Sequence, residues 1–273
     1  MILDSFLVPR SGPAWLLGAL FLLMVFVAAA TLRATPARAQ GQTPVLAPRV
    51  RAETPHDPSS YVQGLVFYQG AFLESRGRYG ESELRRVDPA TGQVEAVQPL
   101  PENVFAEGLA LANGRLYQLT WREGLVFVWN EADLAPLGRL MFMGQGWGAA
   151  YDGERLIVSD GSDTLRFFSP QSLSPQGALQ ITDQGEPVDQ LNELEWIEGR
   201  LWANVWKTPF IAIIDPQSGR VEAWLDCTEL CRRAGWVPGN RDLNGIAFDP
   251  ATGRIWITGK LWDRVYEIEV EGE

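Results

Sequence analysis

Histidine and cysteine are almost missing from this chain of 273 residues, which contains one histidine and two cysteines. A multi-histidine zinc centre is therefore excluded, because such sites need several imidazole or thiolate ligands. The sequence also lacks a Gly-x-Ser-x-Gly element, a catalytic cysteine–histidine pair and a glycine-rich phosphate loop. These absences exclude the chemistries that depend on those elements. We expect the single histidine, His56, to be structural.

Basic residues are outnumbered by acidic ones, 23 against 34, so the formal net charge is −11. A nucleic acid or an anionic membrane surface would be repelled by such a protein, so neither is expected as its main partner. We interpret the acidic surface as a source of solubility. With 46% hydrophobic and 21% charged residues, the chain is long enough for one globular domain with a substantial core.

The stretch 104–121, VFAEGLALANGRLYQLTW, consists of two alternating apolar segments joined by a turn at Asn113-Gly114. This pattern is typical of a β-hairpin. Variants of it recur along the chain, and each keeps its turn glycine: Gly70, Gly114, Gly153, Gly199 and Gly253. These glycines are spaced by 44, 39, 46 and 54 residues. A repeat of this length made of short strands predicts an all-β fold, a five-bladed β-propeller.

The last repeat ends at 264–270 without an outer strand of its own. We expect the N-terminal segment 47–54 to supply that strand and close the ring, which removes the exposed edges of a linear array. Residues 47–273 are thus predicted to form a single propeller domain. An insertion at 227–241, between repeats four and five, predicts a short helical turn at 229–233. It holds both cysteines, Cys227 and Cys231, whose disulfide state the sequence leaves open.

Residues 1–39 have the pattern of a secretory signal peptide. Arg10 is followed by the apolar run 15–32 and by the small-residue site Ala37-Arg38-Ala39. The run also has about the length of a membrane span, so an uncleaved anchor is the alternative. We expect an exported protein, periplasmic or extracellular, or one that is membrane-anchored and faces away from the cytoplasm. Residues 40–46 are predicted to be a flexible linker.

Equivalent positions of the repeats hold residues that suit an active site. The position before each Gly-Leu-like pair holds Gln63, Glu107, Trp147, Asn192 and Asn244, and the position seven residues after each turn glycine holds Gly77, Trp121, Asp160, Trp206 and Lys260. The inner strands of a propeller surround a central channel, so equivalent positions form rings. The first ring lies where the inner strands begin and the second where their antiparallel partners end. Both rings are therefore predicted to line one pocket at one mouth of the channel.

Nine segments carry a resemblance to a known family. They are YVQGLVF (61–67), LESRGRYGESELRRVD (73–88), FAEGL (105–109), YQLTWREG (117–124), GWG (146–148), LNELEW (191–196), WANVW (202–206), LNGIAFDP (243–250) and TGKLW (258–262). In this order they resemble the plant and bacterial type of glutaminyl-peptide cyclotransferase, over nearly the whole predicted mature chain. That family is a five-bladed propeller that converts the N-terminal glutamine of peptides and proteins to pyroglutamate and releases ammonia.

The resemblance implies an acyltransferase whose active-site residues belong to the two rings. They are Glu107, Asn192 and Lys260 as catalytic residues, and Gln63, Trp121, Trp147 and Trp206 as substrate-binding residues. Tyr61 stands where the family often has phenylalanine, which keeps an aromatic wall.

The reaction suggests how these residues divide the work. The α-amine of the substrate must attack its own side-chain amide carbon, so the three tryptophans are expected to hold the side chain folded back. Glu107, with a pKa raised by apolar surroundings, is expected to take a proton from the amine and pass it to the departing nitrogen. Asn192, Lys260, Gln63 or an indole N–H is expected to donate a hydrogen bond to the oxyanion.

Two other functions fit the same residues. A non-catalytic propeller would use the aromatic mouth to hold a peptide or a sugar. A calcium-dependent, lactonase-like propeller would hold the ion through Glu107, Asn192, Asn244 and Asp160. Under the preferred interpretation catalysis requires no metal or other cofactor, while a structural calcium ion is compatible with the sequence. We expect a monomer that associates with a membrane only if the N-terminal segment stays uncleaved.

Overall fold

The computed structural model describes residues 41–270, and within this range the fold is all-β with one short helix. Five blades of four antiparallel strands follow one another, as the five sequence repeats predict, and they form a five-bladed β-propeller. None of the helices in residues 41–270 has the length and apolar character needed to cross a membrane. The predicted signal peptide or anchor, 1–39, lies outside the described residues.

The strands are numbered along the chain. Two N-terminal strands, β1 (Val45–Leu46) and β2 (Pro48–Pro55), precede the blades. Blade one contains β3 (Val62–Tyr68), β4 (Ala71–Arg76), β5 (Glu83–Val87) and β6 (Val94–Pro99). Blade two contains β7 (Ala106–Ala112), β8 (Arg115–Thr120), β9 (Leu125–Asn130) and β10 (Pro136–Met141). Blade three contains β11 (Ala149–Tyr151), β12 (Leu156–Val158), β13 (Thr164–Phe168) and β14 (Pro175–Gln180).

A small hairpin, β15 (Thr182–Asp183) and β16 (Glu186–Pro187), separates blades three and four. Blade four contains β17 (Leu191–Ile197), β18 (Arg200–Val205), β19 (Phe210–Ile214) and β20 (Val221–Asp226). The helix α1 (Thr228–Arg233) follows. Blade five contains β21 (Leu243–Asp249), β22 (Arg254–Gly259) and β23 (Arg264–Val270).

The first strand of each blade is its innermost strand. β3 contacts β7, β7 contacts β11, β11 contacts β17, β17 contacts β21, and β21 returns to β3. The five inner strands therefore form a closed ring. Apolar side chains fill the spaces between neighbouring blades, as Leu65, Phe72 and Trp256 do between blades one and five.

The N-terminal strands close the ring. β2 pairs antiparallel with β23 and becomes the outer strand of blade five, so the predicted closure is confirmed. β1 pairs in parallel with β20 and adds a fifth strand to blade four. The segment 40–46 is therefore not wholly the linker that we predicted, because Val45 and Leu46 are paired and Thr43 donates a hydrogen bond to Asp183.

The five turn glycines all have positive φ values, from 72° at Gly253 to 97° at Gly153. Residues with a Cβ rarely adopt these angles, which explains why a glycine occupies each hairpin tip. The repeat signature read from the sequence is thus a set of tight turns between the first and second strands of the blades.

The insertion after blade four contains α1, in agreement with the predicted helical turn. Cys227 lies at the N-cap and Cys231 one helical turn later, and both are buried free thiols. Burial raises the pKa of Cys231 to about 12, which keeps this thiol protonated and unreactive. The disulfide that the sequence left open is not formed.

His56 is buried in front of blade one. Its Nε2 lies 2.7 Å from Oε2 of Glu74, and its Nδ1 lies 2.9 Å from the carbonyl oxygen of Trp262. Glu74 also accepts a hydrogen bond from Ser60. The imidazole therefore joins blade one to the loop before the last strand, a structural role as expected.

Candidate active site

A cavity of ≈ 240 Å³ opens between the ends of the inner strands. Its walls consist of Tyr61, Gln63, Phe105, Glu107, Trp121, Trp147, Asn192, Trp206 and Lys260. All seven side chains that we predicted as site residues are therefore brought together, and two further aromatic rings complete the wall. Three of the ring positions, Gly77, Asp160 and Asn244, are not part of it.

The polar residues of the first ring lie where the inner strands lose register with their neighbours. The pairing shifts at Gln63 between β3 and β4, at Glu107 between β7 and β8, at Asn192 between β17 and β18, and at Asn244 between β21 and β22. Such bulges release a residue from regular pairing and redirect its side chain. In three of these four blades, the released residue lines the cavity.

Neighbouring inner strands approach closely behind this ring. A Cβ on Gly108 would lie 2.6 Å from the backbone nitrogen of Ala149, so glycine is required there. Blade four has Glu193 at the equivalent position. Its carboxyl accepts hydrogen bonds from the backbone N–H groups of Ile246 at 2.9 Å and Leu65 at 3.4 Å. Glu193 therefore links blade four to blades one and five behind the cavity.

Glu107 is a buried carboxyl that faces the cavity. Burial raises its pKa well above the ordinary value; the charge of Lys260 opposes this shift and that of Glu123 adds to it. The Glu107 carboxyl forms no hydrogen bond with any other residue in the range 41–270. A group of this kind keeps its proton at pH values where an ordinary glutamate is ionised, and it is free to exchange that proton with a bound molecule.

Lys260 supplies the positive charge of the cavity. Burial lowers its pKa, whereas the carboxylates of Glu107 and Asp242 raise it. Its Nζ lies 4.9 Å from the centroid of the Tyr61 ring, within the range of a cation–π contact. The cavity thus pairs a buried cation with a buried acid against an aromatic wall.

Two amide side chains add neutral hydrogen-bonding groups. Asn244 Nδ2 donates to Gln63 Oε1 at 3.2 Å and to the carbonyl oxygen of Val62 at 2.9 Å. Asn244 therefore positions Gln63, whose amide nitrogen remains available as a donor. Asn192 Oδ1 is buried and has no hydrogen-bond partner among residues 41–270, so this side chain is available to a ligand.

The three cavity tryptophans donate their indole N–H groups to neighbouring side chains. Trp121 and Trp147 both donate to Gln145 Oε1, at 2.9 and 3.2 Å, and Trp206 donates to Asp242 Oδ2 at 2.9 Å. Of the four kinds of oxyanion donor that we expected, the indole N–H groups of these three rings already have acceptors, so Asn192, Lys260 and Gln63 are the better candidates. These bonds hold the rings in place instead, and the Trp147 and Trp206 rings meet edge to face with centroids 5.4 Å apart.

A third ring of residues lies two positions before the first, and of its members only Tyr61 was singled out from the sequence. It contains Tyr61, Phe105, Gln145, Gln190 and Asp242. Tyr61 and Phe105 line the cavity, and Gln145 and Asp242 hold the indoles. These residues directly precede or lie just before the inner strands, so aligning the repeats two positions further back would have found them.

The residues of the calcium alternative are not gathered at one point. Glu107 and Asn192 line the cavity, but Asp160 forms an ion pair with Arg166 at 3.2 Å and Asn244 is bonded to Gln63. Within residues 41–270, no group of three or more His, Cys, Asp or Glu side chains is arranged to hold a metal ion.

A larger cavity of ≈ 950 Å³ lies at the opposite ends of the inner strands, beside the hairpin turns at Gly70 and Gly199. Glu195 lies in its wall together with apolar and aromatic side chains. Burial raises the pKa of Glu195 to about 8. The smaller cavity is the candidate active site, because it alone of the two combines an acid, a cation and free amide groups.

Comparison with known proteins identifies the family of the chain. The glutamine cyclotransferase family profile matches residues 22–270. A glutaminyl-peptide cyclotransferase of Arabidopsis thaliana is 38% identical over 227 residues, which span 81% of this chain and 71% of that protein. The crystal structure of Myxococcus xanthus glutaminyl cyclase matches with a TM-score of 0.80 and 38% identity, over 84% of this chain and 98% of that one. The chain therefore belongs to the glutamine cyclotransferase family and functions as a glutaminyl-peptide cyclotransferase, an acyltransferase.

Proposed function

We propose that the ≈ 240 Å³ cavity is where the N-terminal glutamine is cyclised, with Glu107 as the group that moves the proton. The observation that carries this proposal is the burial of Glu107 and Lys260 in one aromatic-walled cavity. A carboxyl group with a raised pKa is suited to accepting and returning a proton near neutral pH.

The reaction then follows in two proton transfers. The α-amine attacks the carbon of its own side-chain amide, so that a new C–N bond forms and the amide oxygen gains negative charge. The ionised Glu107 carboxylate accepts the proton that the amine loses. It next donates this proton to the old amide nitrogen, the original C–N bond breaks, and ammonia leaves. Pyroglutamate and the ionised carboxylate remain, so Glu107 acts first as base and then as acid.

The other cavity residues orient the substrate and stabilise the charge. Trp121, Trp147 and Trp206 hold the glutamine side chain folded back, which removes much of the entropic barrier to ring closure. Lys260, the Asn192 amide and the Gln63 amide nitrogen are the donors for the oxyanion. Loss of one such donor typically lowers kcat by about 10²–10³.

Catalysis in this scheme requires no metal ion or other cofactor, since every proton transfer and every oxyanion contact is assigned to a side chain. A chelator tests this point directly. If ammonia release survives the chelator while the melting temperature falls, an ion has a purely structural role.

We also propose that the enzyme acts outside the cytoplasm, as a periplasmic or extracellular monomer. The support is the signal-peptide pattern of residues 1–39. N-terminal sequencing of the cell fractions tests the location: a mature protein beginning near residue 40 indicates cleavage, and a full-length protein in the membrane fraction indicates an anchor. Light scattering tests the oligomeric state.

The function of the cavity is tested with the purified protein and a glutamine-initiated dipeptide. We expect release of ammonia in a coupled assay, with a product whose mass has decreased by one ammonia, both with and without chelator. Peptide binding without ammonia release would support the binding propeller instead. Ammonia release that the chelator stops, in protein that remains folded, would mean that the site works through a metal.

A further inference from the structure

We propose that the rim of the cavity selects peptides with an acidic residue directly after the N-terminal glutamine. The selecting groups are three basic residues, Arg78, Arg122 and Lys207, which we call the basic rim. This inference rests on the proposed function of the cavity and specifies its substrate class.

The basic rim occupies one equivalent position of three repeats. Each member directly follows a second-ring residue, Gly77, Trp121 or Trp206, where the strand that lines the cavity has ended. The corresponding residues of repeats three and five are Gly161 and Leu261. No repeat places an acidic side chain at this position, so the charge there has one sign.

Each basic side chain stacks on an aromatic ring of the cavity wall. Arg78 Cζ lies 4.5 Å from the Tyr61 ring centroid, and Arg122 Cζ lies 3.6 Å from that of Trp121. Lys207 Nζ lies 4.0 Å from the Trp206 ring centroid. Arg122 and Lys207 are exposed to solvent. The three cations are therefore held on the wall rings at the entrance, where the rest of a bound peptide must leave the cavity.

These charges are not neutralised by close partners. None of the three cations has a carboxylate within 4.0 Å among residues 41–270. Two carboxylates of this region are hydrogen-bonded to uncharged donors: Glu123 accepts a hydrogen bond from the Tyr79 hydroxyl at 2.8 Å, and Asp242 accepts one from the Trp206 indole. Although the net charge of the protein is −11, both of its lysines, Lys207 and Lys260, lie at this mouth.

Two residues of the basic rim have an uncommon backbone conformation. Arg78 has φ 101° and Lys207 has φ 65°, a region that long side chains rarely adopt. Glycine would meet no steric penalty at either position. The equivalent residues Gly161 and Leu261 also have positive φ, 84° and 61°, so this conformation belongs to the repeat position.

The effect on the substrate follows from Coulomb attraction at an exposed site. When the glutamine occupies the cavity, the second and third residues of the peptide pass the basic rim. An exposed ion pair is worth about 0.2–1 kcal/mol, or roughly 1.4-fold to fivefold in kcat/KM for each cation that the acidic side chain reaches. Salt weakens such pairs, so the preference should decline as ionic strength rises.

The experiment compares kcat/KM for the tripeptides Gln-Glu-Ala, Gln-Gln-Ala and Gln-Lys-Ala, all with amidated C-termini. We expect the wild-type enzyme to favour the glutamate peptide over its neutral isostere by a few-fold, and the lysine peptide to be the poorest. Lys207→Met keeps an apolar chain over Trp206 but removes the charge, and Arg122→Gln removes a second charge. In the double variant the Glu/Gln ratio of kcat/KM should fall close to one.

Arg139→Gln is the matched control, because Arg139 is an exposed cation on β10 in the outer part of blade two. This variant should keep the wild-type ratio. Equal kcat/KM for the glutamate and glutamine peptides in the wild-type enzyme would overturn the proposal while leaving the cyclase activity established. The proposal would also be overturned if the triple variant Arg78→Gln/Arg122→Gln/Lys207→Met kept the wild-type Glu/Gln ratio of kcat/KM. Absence of ammonia from all three peptides would instead refute the proposed function of the cavity.

Discussion

Lys260 lowers the pKa of Glu107 in opposition to the burial that raises it. Both side chains face one cavity, and neither forms a side-chain hydrogen bond with another residue of the described range 41–270. Burial therefore has the larger effect on the pKa of the acid, and the charge of the lysine moderates it. A substrate that enters between them meets a carboxyl group whose protonation is tuned by its neighbour.

This coupling predicts how the pH profile responds to Lys260→Met. Removing the cation removes the influence that lowers the pKa of Glu107, so the acidic limb of kcat/KM should move to higher pH. Glu123→Gln should move the limb in the opposite direction, because the charge of Glu123 raises the same pKa. The substrate amine, with a pKa of about 8, also lowers kcat/KM on the acidic side, and its contribution is the same for all variants. A limb that stays in place in Lys260→Met would contradict the coupling.

Gln145 is predicted to act through the two indoles that it holds. In Gln145→Ala, Trp121 and Trp147 lose their shared acceptor, so the aromatic cage should loosen and kcat/KM should fall roughly tenfold, the loss expected for two modest hydrogen bonds. Gln145→Glu retains an acceptor oxygen and should recover most of the activity. A Gln145→Ala enzyme with unchanged kcat and KM would show that the indoles do not depend on this contact.

Glu195 predicts a pH dependence of stability that is separate from catalysis. Burial raises its pKa from 4.5 to about 8. Such a group stabilises the folded state while it is protonated, and this contribution is lost as pH rises from about 4.5 to about 8. The melting temperature of Glu195→Gln, relative to that of the wild type, should therefore rise as pH increases through this window. At higher pH the difference between the two should stay constant.

The control for this stability measurement is Glu198→Gln, which changes an exposed carboxyl near the same end of the strand. Ammonia release at neutral pH should be retained in Glu195→Gln, because Glu195 lines the opposite cavity. The melting temperatures of wild type and Glu195→Gln are compared from about pH 5 to about pH 9, roughly the limits of the window. A difference between them that stays constant over this range would refute the effect of burial on this carboxyl.

The fold was predictable because its signals are local and repeated. A glycine such as Gly153 marks a hairpin tip wherever positive φ is required, and five such tips at regular spacing define the blades. The two-residue strands β1 and β15 left no signal, since two residues cannot show a period. Their pairing depends on contacts between distant segments, such as Val45 with Trp224.

The candidate site was predictable in position but not in its hydrogen bonds. Aligning the repeats identified Glu107 and Lys260, because equivalent positions of a propeller converge. It did not reveal that Gln145 accepts from two indoles, since this bond depends on the conformation of the loop before Trp147. Nor did it reveal the bulge at Glu107, because a bulge is a shift in the pairing of two strands, and the sequence of one strand does not show its register with the next.

Glu107→Gln tests the assignment of the proton transfers most directly. The amide has nearly the same shape but cannot carry the proton, and a buried neutral amide is no costlier than a buried carboxylate. The variant should therefore fold and bind peptide normally while ammonia release falls by at least about 10²-fold. Glu123→Gln is the control for the loss of one negative charge at the mouth. It is assayed together with Glu107→Gln, near the pH optimum of Glu123→Gln. Ammonia release close to the wild-type rate from folded Glu107→Gln would contradict the role of Glu107 as the proton shuttle.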